Sequence, residues 1–366
     1  MISEEVLRRE RKRIDITLFS AIAFLISFGM AALYSSTFYS KSVFFTTQAI
    51  LTLSIGTIAL FIGMAIKTDY WRVITRPLFV ITILLLILVL IKGTTINHAK
   101  RWLKIWHFKV QISELAKASI ILFLADLLDE WEDSLKGLKT FIKLTIIAAL
   151  TSLLVAIEPS ISAAFVIFAT AFAMIFFAGT RVRYVIATIV LGGALFAVLV
   201  FSYPHAKNRI LGKMGKGQNS ELYQVEQAKI AIANGHVLGK GPGKGLAKYN
   251  YLPEISNDFI YALIAEEFGL IGSVGIILLF IVITVQGFRI AKRHILSTYK
   301  SSLAVGITFL LSLEAALHVG INTGVIPPTG VVLPFVSYGK LAILVHMFLA
   351  GVLLRLSYEI EEGIEL

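Results

Sequence analysis

Asp258 is the residue whose type and position are best suited to chemistry. It follows a glycine- and lysine-rich loop and opens a long apolar run, in the segment Tyr-Leu-Pro-Glu-Ile-Ser-Asn-Asp-Phe-Ile at 251–260. A carboxylate at a membrane entrance is costly to hold there, so it usually has a function. The simpler alternative is an acid near a helix N-terminus, where the macrodipole contributes ~0.3–1 kcal/mol. Partial desolvation would make Asp258 a better base, which points to proton abstraction.

A stripe of small residues follows Asp258 at helical spacing. Positions 258, 262, 265, 269 and 272 are Asp, Ala, Ala, Gly and Gly. Such a stripe predicts that another helix approaches closely, so that Asp258 faces protein rather than lipid. Glu266 and Glu267 lie two turns deeper. We expect them to be structural: one of them either pairs with a base such as Lys117 or stabilises the bundle.

Charged side chains also lie in a tryptophan-rich segment. Arg101 precedes Trp102, and Trp102 and Trp106 are typical of an interfacial aromatic belt. Glu114 and Lys117 are three residues apart, which places them on one helix face. They form either a simple ion pair or part of a cavity wall, since paired charges at the membrane boundary tend to line cavities.

The elements that position these groups are membrane helices. The chain has 366 residues, of which 57% are hydrophobic, and its mean hydropathy is +0.82. Soluble domains are nearer about 45–50% apolar. We therefore predict an all-α polytopic membrane protein with a long outer loop, residues 204–257, between its seventh and eighth helices. Ten helices are expected, near residues 14–34, 43–66, 73–92, 112–128, 139–157, 160–178, 183–203, 258–286, 301–323 and 340–358.

Charge sets the predicted orientation and excludes some functions. Basic residues cluster in the first 13 residues, so the positive-inside rule places this tail, and with ten spans the C-terminus, in the cytoplasm. The net charge is +11, with basic residues also in the expected outer loops 92–117 and 207–248. Long loops translocate regardless of charge; alternatively, these side chains bind an anion such as a pyrophosphate. Without cysteine, thiolate chemistry and disulfides are excluded. No expected soluble domain is large enough to bind nucleic acid.

Glycine and proline interrupt the apolar pattern near the C-terminus. Residues 320–339 read Gly-Ile-Asn-Thr-Gly-Val-Ile-Pro-Pro-Thr-Gly-Val-Val-Leu-Pro-Phe-Val-Ser-Tyr-Gly. Irregular backbone at membrane depth is tolerated only where it is buried in protein or lines a cavity. This segment is therefore expected to pack inside the bundle or beside a site.

Together these motifs resemble the SEDS family (shape, elongation, division and sporulation), which are membrane-embedded peptidoglycan glycosyltransferases. Their order and spacing agree across nearly the whole chain, and the wording is closer to the FtsW-like division branch than to the RodA-like elongation branch. The resemblance is carried by Arg-Trp-Leu at 101–103, Ser-Glu-Leu-Ala-Lys at 113–117, Leu-Pro-Glu-x-x-x-Asp-Phe-Ile at 252–260, Glu-Glu-x-Gly-x-x-Gly at 266–272 and Leu-Pro-Phe-x-Ser-Tyr-Gly at 333–339.

The chain departs from the family pattern at three places. Lys340-Leu341-Ala342 stands where Gly-Ser-Ser is usual, and His346 stands where asparagine is common. Residues 158–162 read Glu-Pro-Ser-Ile-Ser, where the family usually has Pro-Asp-x-Gly. These departures put the geometry of the cavity in question and leave Asp258 in place.

The resemblance implies a single membrane domain, residues 1–366, that polymerises lipid II at the outer face of the bacterial cytoplasmic membrane. Asp258 would be the catalytic base, the anomeric centre would invert, and undecaprenyl pyrophosphate would leave. A divalent cation, Mg²⁺ or Mn²⁺, near Asp258 is left open. The substrate-binding residues that the resemblance implies are Arg101, Glu114, Lys117, Lys248 and Ser337.

The resemblance also implies protein partners. The principal one is a class B penicillin-binding transpeptidase, together with other division or elongation proteins. Two alternatives remain open from the sequence: a flippase for the same lipid-linked precursor, and a scaffold without catalysis that recruits the transpeptidase. The absence of an inverted repeat and the clustering of polar groups on one side argue against the flippase, whereas the segment 340–342 keeps the scaffold in consideration.

Overall fold

The computed structural model describes residues 14–38, 43–96, 99–105, 108–190, 220–247 and 255–359. Four parts of the chain discussed above lie outside these ranges: the expected tail 1–13, Trp106, and residues 204–219 and 248–254 of the predicted loop, which include Lys248. The helices are α1 (Ile16–Phe38), α2 (Val43–Ala65), α3 (Thr68–Lys92), α4 (Ile112–Glu130), α5 (Leu138–Ile157), α6 (Ile161–Phe177), α7 (residues 182–190), α8 (Ser220–Asn234), α9 (Ile260–Arg293), α10 (Thr298–Asn322) and α11 (Lys340–Tyr358).

The helical prediction is confirmed for the described residues, with changes at the ends. Helix α3 begins at Thr68 rather than near residue 73, and α9 continues to Arg293 rather than 286. Six described helices are long and apolar enough to cross a membrane, and two shorter apolar segments accompany them. Because the seventh predicted span, 183–203, is described only as far as residue 190, the expected total of ten is not reached within the described ranges.

A small antiparallel sheet joins α3 to α4, where the sequence prediction had only a basic loop. Its strands are β1 (Thr94–Ile96), β2 (Ala99–Ile105) and β3 (Phe108–Gln111), in the order β1-β2-β3. Leu103 is buried and pairs with Val110, whereas the next residue, Lys104, is exposed. Such alternation of buried and exposed residues is typical of a strand. The interpretation of Trp102 and Trp106 as an interfacial belt does not predict it.

Three helices form the centre of the bundle. Most residues of α4, α10 and α11 are buried, including the polar side chains Lys117, Glu314 and His346. The surrounding helices α1, α3 and α5 expose many large apolar side chains outward. Because those side chains are stable in lipid, this arrangement fits a multi-pass membrane protein whose polar groups face inward.

Helix α9 breaks inside the bundle at Gly269, whose backbone has φ 66° and ψ −160°. The loop after α8 enters this break and supplies the hydrogen bonds that the helix loses, as such irregular backbone requires. These bonds run from Leu270 N to His236 O (2.9 Å), from Lys240 N to Glu266 O (3.0 Å) and from Gly241 N to Glu267 O (2.9 Å).

Around Ala265 and Gly269 the small-residue stripe of α9 meets this loop instead of the predicted helix, whereas α10 contacts Ala262 and α1 lies beside Gly272. A Cβ on Gly235 would stand 1.8 Å from the carbonyl oxygen of Ala265, and one on Gly239 would stand 2.7 Å from the nitrogen of Gly269. Small residues permit a close approach whatever the partner's secondary structure. The spacing alone therefore could not distinguish a helix from a re-entering loop.

Candidate active site

Asp258 lies in a turn at residues 255–258 that directly precedes α9. Its side chain is half-buried, and a Cβ added to Gly330 would stand 3.5 Å from its Oδ2. Helix α9 begins at Ile260 after Phe259, with no side-chain cap. The carboxylate thus stands at the mouth of the bundle beside a residue without a side chain.

Three successive carbonyl groups of this turn are held by the segment 322–338. Tyr338 N donates to Ser256 O at 2.8 Å, Ser337 Oγ donates to Asn257 O at 2.7 Å, and Asn322 Nδ2 donates to Asp258 O at 3.0 Å. The turn is therefore fixed by residues far away in sequence. This arrangement orients the Asp258 carboxylate before any substrate arrives, which is the condition for effective proton transfer.

Asn322 is a residue whose role the sequence analysis missed. It is fully buried at the end of α10. Its Nδ2 also donates to His318 O (2.9 Å), and its Oδ1 accepts from Ala262 N (3.1 Å), in the first turn of α9. One amide side chain thus joins α10, the first turn of α9 and the carbonyl of Asp258.

Ser337, expected to bind substrate, is 2% exposed. Its hydroxyl donates to Asn257 O and accepts from Leu333 N at 2.8 Å. Both contacts lie within the protein. The geometry therefore gives Ser337 a part in building the Asp258 turn.

Glu114 and Lys117 share a helix face as predicted, and their side chains are 2.7 Å apart at Oε1 and Nζ. Both are buried, and Lys117 Nζ also lies 2.5 Å from Glu314 Oε1. The other carboxylate oxygen of Glu314 is 2.6 Å from His346 Nε2. We call these four residues, on α4, α10 and α11, the buried charge network.

Glu266 and Glu267 hold the loop that enters α9. Glu266 is 1% exposed and pairs with a base as expected, but the base is Lys240, at 2.7 Å, and not Lys117. Its second oxygen accepts from Ala247 N at 2.9 Å. Glu267 accepts from Ser35 Oγ at 2.6 Å, and from Gly243 N and Gly245 N at 3.0 and 3.2 Å. Their structural role follows from these contacts.

Two of the basic residues expected to bind an anion, Arg101 and Lys104, lie in the described part of the chain. Arg101 lies on β2 and is half-exposed, and among the described residues its guanidinium has no hydrogen bond or ion pair. Lys104, three residues later, is exposed. Both cations remain available to an anion. The placement of Lys248 is not described.

Glu158 is a further carboxyl group that the sequence analysis did not select. It directly follows α5, is 0% exposed, and neither of its carboxyl oxygens has a partner among the described residues. Burial raises its pKa to about 8. In the next helix, Ser162 Oγ donates to Thr329 O at 2.5 Å. Thr329 precedes Gly330, which lies beside the Asp258 carboxylate, so the start of α6 is close to the Asp258 turn.

Among the described residues, the buried charge network has the spacing of a site for a divalent cation. Glu114, Glu314 and His346 each place a ligand atom within 4.8 Å of the others, a donor set that suits such an ion. Lys117, however, already places its ammonium against both carboxylates. Among the described residues, no comparable group includes Asp258.

Comparison with known proteins gives one family. The family model described as cell cycle protein, which covers FtsW, RodA and SpoVE, matches residues 12–362. The probable peptidoglycan glycosyltransferase FtsW of Coxiella burnetii is 33% identical over 320 residues, covering 85% of this chain and 86% of that protein. Stage V sporulation protein E of Bacillus subtilis is 32% identical over 354 residues, covering 94% and 96%.

Solved structures show the same fold. A chain of a peptidoglycan synthase complex that coordinates polymerization and crosslinking has a TM-score of 0.82 at 22% identity, covering 96% of this chain and 99% of that one. The rod shape determining protein RodA of Thermus thermophilus has a TM-score of 0.70 at 20% identity, covering 96% and 98%.

Proposed function

Because the chain belongs to the FtsW, RodA and SpoVE family of cell cycle proteins, we propose that it is a peptidoglycan glycosyltransferase that polymerises lipid II. The observation that carries this proposal is the Asp258 turn. Its carboxylate stands at the mouth of the bundle, and three carbonyl groups of the turn are tied to the segment 322–338. Relatives that align with 85% and 95% of this chain are named probable peptidoglycan glycosyltransferase, which supports the proposal.

In the proposed reaction, Asp258 acts as general base. The 4-hydroxyl oxygen of the acceptor sugar attacks the anomeric carbon of the donor while the bond from that carbon to the pyrophosphate oxygen breaks. The hydroxyl proton passes to Asp258, and the bonding electrons leave with undecaprenyl pyrophosphate. Attack opposite the leaving group inverts the anomeric centre. General base catalysis typically contributes ~10²–10⁴-fold, so stabilisation of the leaving charge must supply much of the rest.

We assign charge stabilisation to the basic residues of the predicted outer loops. Arg101 is the first candidate, because a guanidinium can hold a phosphate through two parallel hydrogen bonds. Asp258 together with pyrophosphate oxygens would suit Mg²⁺ or Mn²⁺, which prefer oxygen ligands. Such an ion would neutralise the departing phosphate.

The proposal places this mouth at the outer face of the cytoplasmic membrane, with both termini inside. The basic cluster in the first 13 residues supports this orientation. We propose a class B penicillin-binding transpeptidase as partner. The similarity to a chain of a peptidoglycan synthase complex supports this assignment.

Polymerisation of labelled lipid II by the purified protein with its transpeptidase partner tests the proposal. We expect glycan chains from the native protein and none from the Asp258→Ala and Asp258→Asn variants. The control is Asp69→Asn, the same change at an exposed aspartate in the first turn of α3, at the other end of the bundle. Lipid movement across vesicles without chains would favour a flippase. Partner binding with neither activity would favour a scaffold.

A further inference from the structure

Without a charge on His346, the buried charge network has more negative than positive groups. It contains two carboxylates, Glu114 and Glu314, and one ammonium, Lys117, all at least nine-tenths buried. An uncompensated charge inside a bundle is expensive, because the interior cannot solvate it as water does. An imidazolium at His346 would bring the sum to zero.

The geometry is that of an ion pair between Glu314 and His346. The Oε2 and Nε2 atoms are 2.6 Å apart, although their alignment falls outside hydrogen-bond limits. Lys117 occupies the other oxygen of Glu314 at 2.5 Å. Each oxygen of this carboxylate thus faces one basic group. The neighbouring helices α2 and α6 contain no titratable residue, and His318 on α10 binds Val331 O through Nδ1 at 2.8 Å.

Helix α10 connects this pair to the Asp258 turn. Glu314, His318 and Asn322 are spaced by four residues and therefore share one face of the helix. Along the axis of α10, Glu314 lies about 12 Å from Asn322, because an α-helix rises about 1.5 Å per residue. Asn322 holds the carbonyl of Asp258. The position of α10 along and around its axis therefore determines where the turn is held.

We propose that Glu314 and His346 form a charge-compensating ion pair that positions α10 and, through Asn322, the catalytic turn. These are positioning residues, since neither contacts the reacting atoms. The effect on catalysis rests on the proposed glycosyltransferase function, whereas the effect on stability does not. The pair makes a specific prediction: neutralising both partners is less harmful than removing the base alone.

Three variants of the full-length protein test this: His346→Asn, Glu314→Gln and the double change. Without His346, the second oxygen of Glu314 faces no cation, so we expect a lower Tm and a loss of polymerisation of roughly tenfold or more. Glu314→Gln leaves Lys117 paired with Glu114 and should be milder. The double variant restores charge balance and should recover to within roughly threefold of the native rate.

A matched control uses another buried histidine. His294, 5% exposed, contacts Leu356 O at 2.9 Å near the end of the bundle away from Asp258. Adding Glu314→Gln should rescue His346→Asn but not His294→Asn. This difference separates charge compensation from a general effect on packing.

The outcomes separate the two proposals. If the double variant is as unstable and as slow as His346→Asn, or worse, the charge-compensating pair is refuted even when the native protein polymerises lipid II. A different outcome is that the native protein makes no chains but the double variant recovers the Tm lost in His346→Asn. The ion pair then stands, whereas the proposed function, and with it the pair's effect on catalysis, is refuted.

Discussion

Replacement of Glu158 by glutamine should change how stability depends on pH. This side chain is 0% exposed, and both its carboxyl oxygens are without a partner in the described part of the chain. Burial raises its pKa to about 8. Glutamine has nearly the same shape and cannot ionise, so the variant isolates the effect of the charge.

The sign follows from the direction of the shift. The pKa of Glu158 in the folded protein lies above the ordinary value of about 4.3 for glutamate. The folded state therefore binds the carboxyl proton more tightly than the unfolded state does. The favourable contribution is full below the unfolded pKa and is lost as pH rises through about 8. Between pH 5 and 8, the free energy of unfolding of the native protein should fall by about 3 kcal/mol from this group.

The assay is thermal unfolding of the purified protein in detergent across this pH range. Other titrating groups are common to both proteins, so the difference between their curves reports Glu158. The Tm of Glu158→Gln should rise relative to native protein as pH increases, with the largest gain near pH 8. Glu132→Gln, at an exposed glutamate, is the control and should track the native curve. Parallel curves for native protein and Glu158→Gln would refute the reasoning.

Three further predictions concern the parts that hold the Asp258 turn and the entering loop. Gly235→Ala would place a Cβ 1.8 Å from a carbonyl oxygen of α9 and should lower the Tm. In Gly275→Ala, inside α9, the added Cβ has no atom within 4 Å. This variant should raise stability by about 0.5–1 kcal/mol, because alanine favours a helix more than glycine does. Asn322→Ala should reduce kcat for polymerisation by roughly tenfold with little change in KM, because the turn loses its orientation and not its substrate contacts. Lys240→Ala should destabilise by about 2 kcal/mol, because it leaves an oxygen of buried Glu266 without a cation, and adding Glu266→Gln should recover part of this loss in thermal unfolding.

Each has an outcome against it. Equal Tm values for the two glycine variants would show that the loop does not pack into the break of α9. A loss confined to KM in Asn322→Ala would assign that residue to substrate binding. If the loss in Lys240→Ala persists unchanged with Glu266→Gln, the lysine stabilises the loop through something other than that carboxylate.

Helix positions could be predicted from the sequence because an apolar run must satisfy its own backbone in lipid. The runs at 43–66 and 340–358 match α2 and α11 within one residue. The small sheet could not be recognised as readily, because Arg101 and Trp102 also fit a basic loop at an interface. Its strand alternation is only a few residues long.

Asp258 and the pairing of Glu114 with Lys117 could be predicted, since both depend on local spacing. The remainder of the site depends on contacts between distant residues. Asn322 and Ser337 are 64 and 80 residues from the carbonyl groups that they bind. Glu314 is 197 residues from Lys117. A polar residue every four positions on apolar α10 was the available signal, but it does not identify the partners.

The segment 340–342 kept a scaffold without catalysis in consideration, and its structural setting weakens that argument. The hydrogen bonds that hold the Asp258 turn come from Asn322, Ser337 and Tyr338, all of which precede the altered residues. Lys340 is exposed, and Ala342 is buried in α11. The change therefore falls after the contacts on which the carboxylate depends. All three carbonyl contacts are therefore present although residues 340–342 differ from the family pattern, and the proposed role of Asp258 as a base needs the orientation that these contacts give.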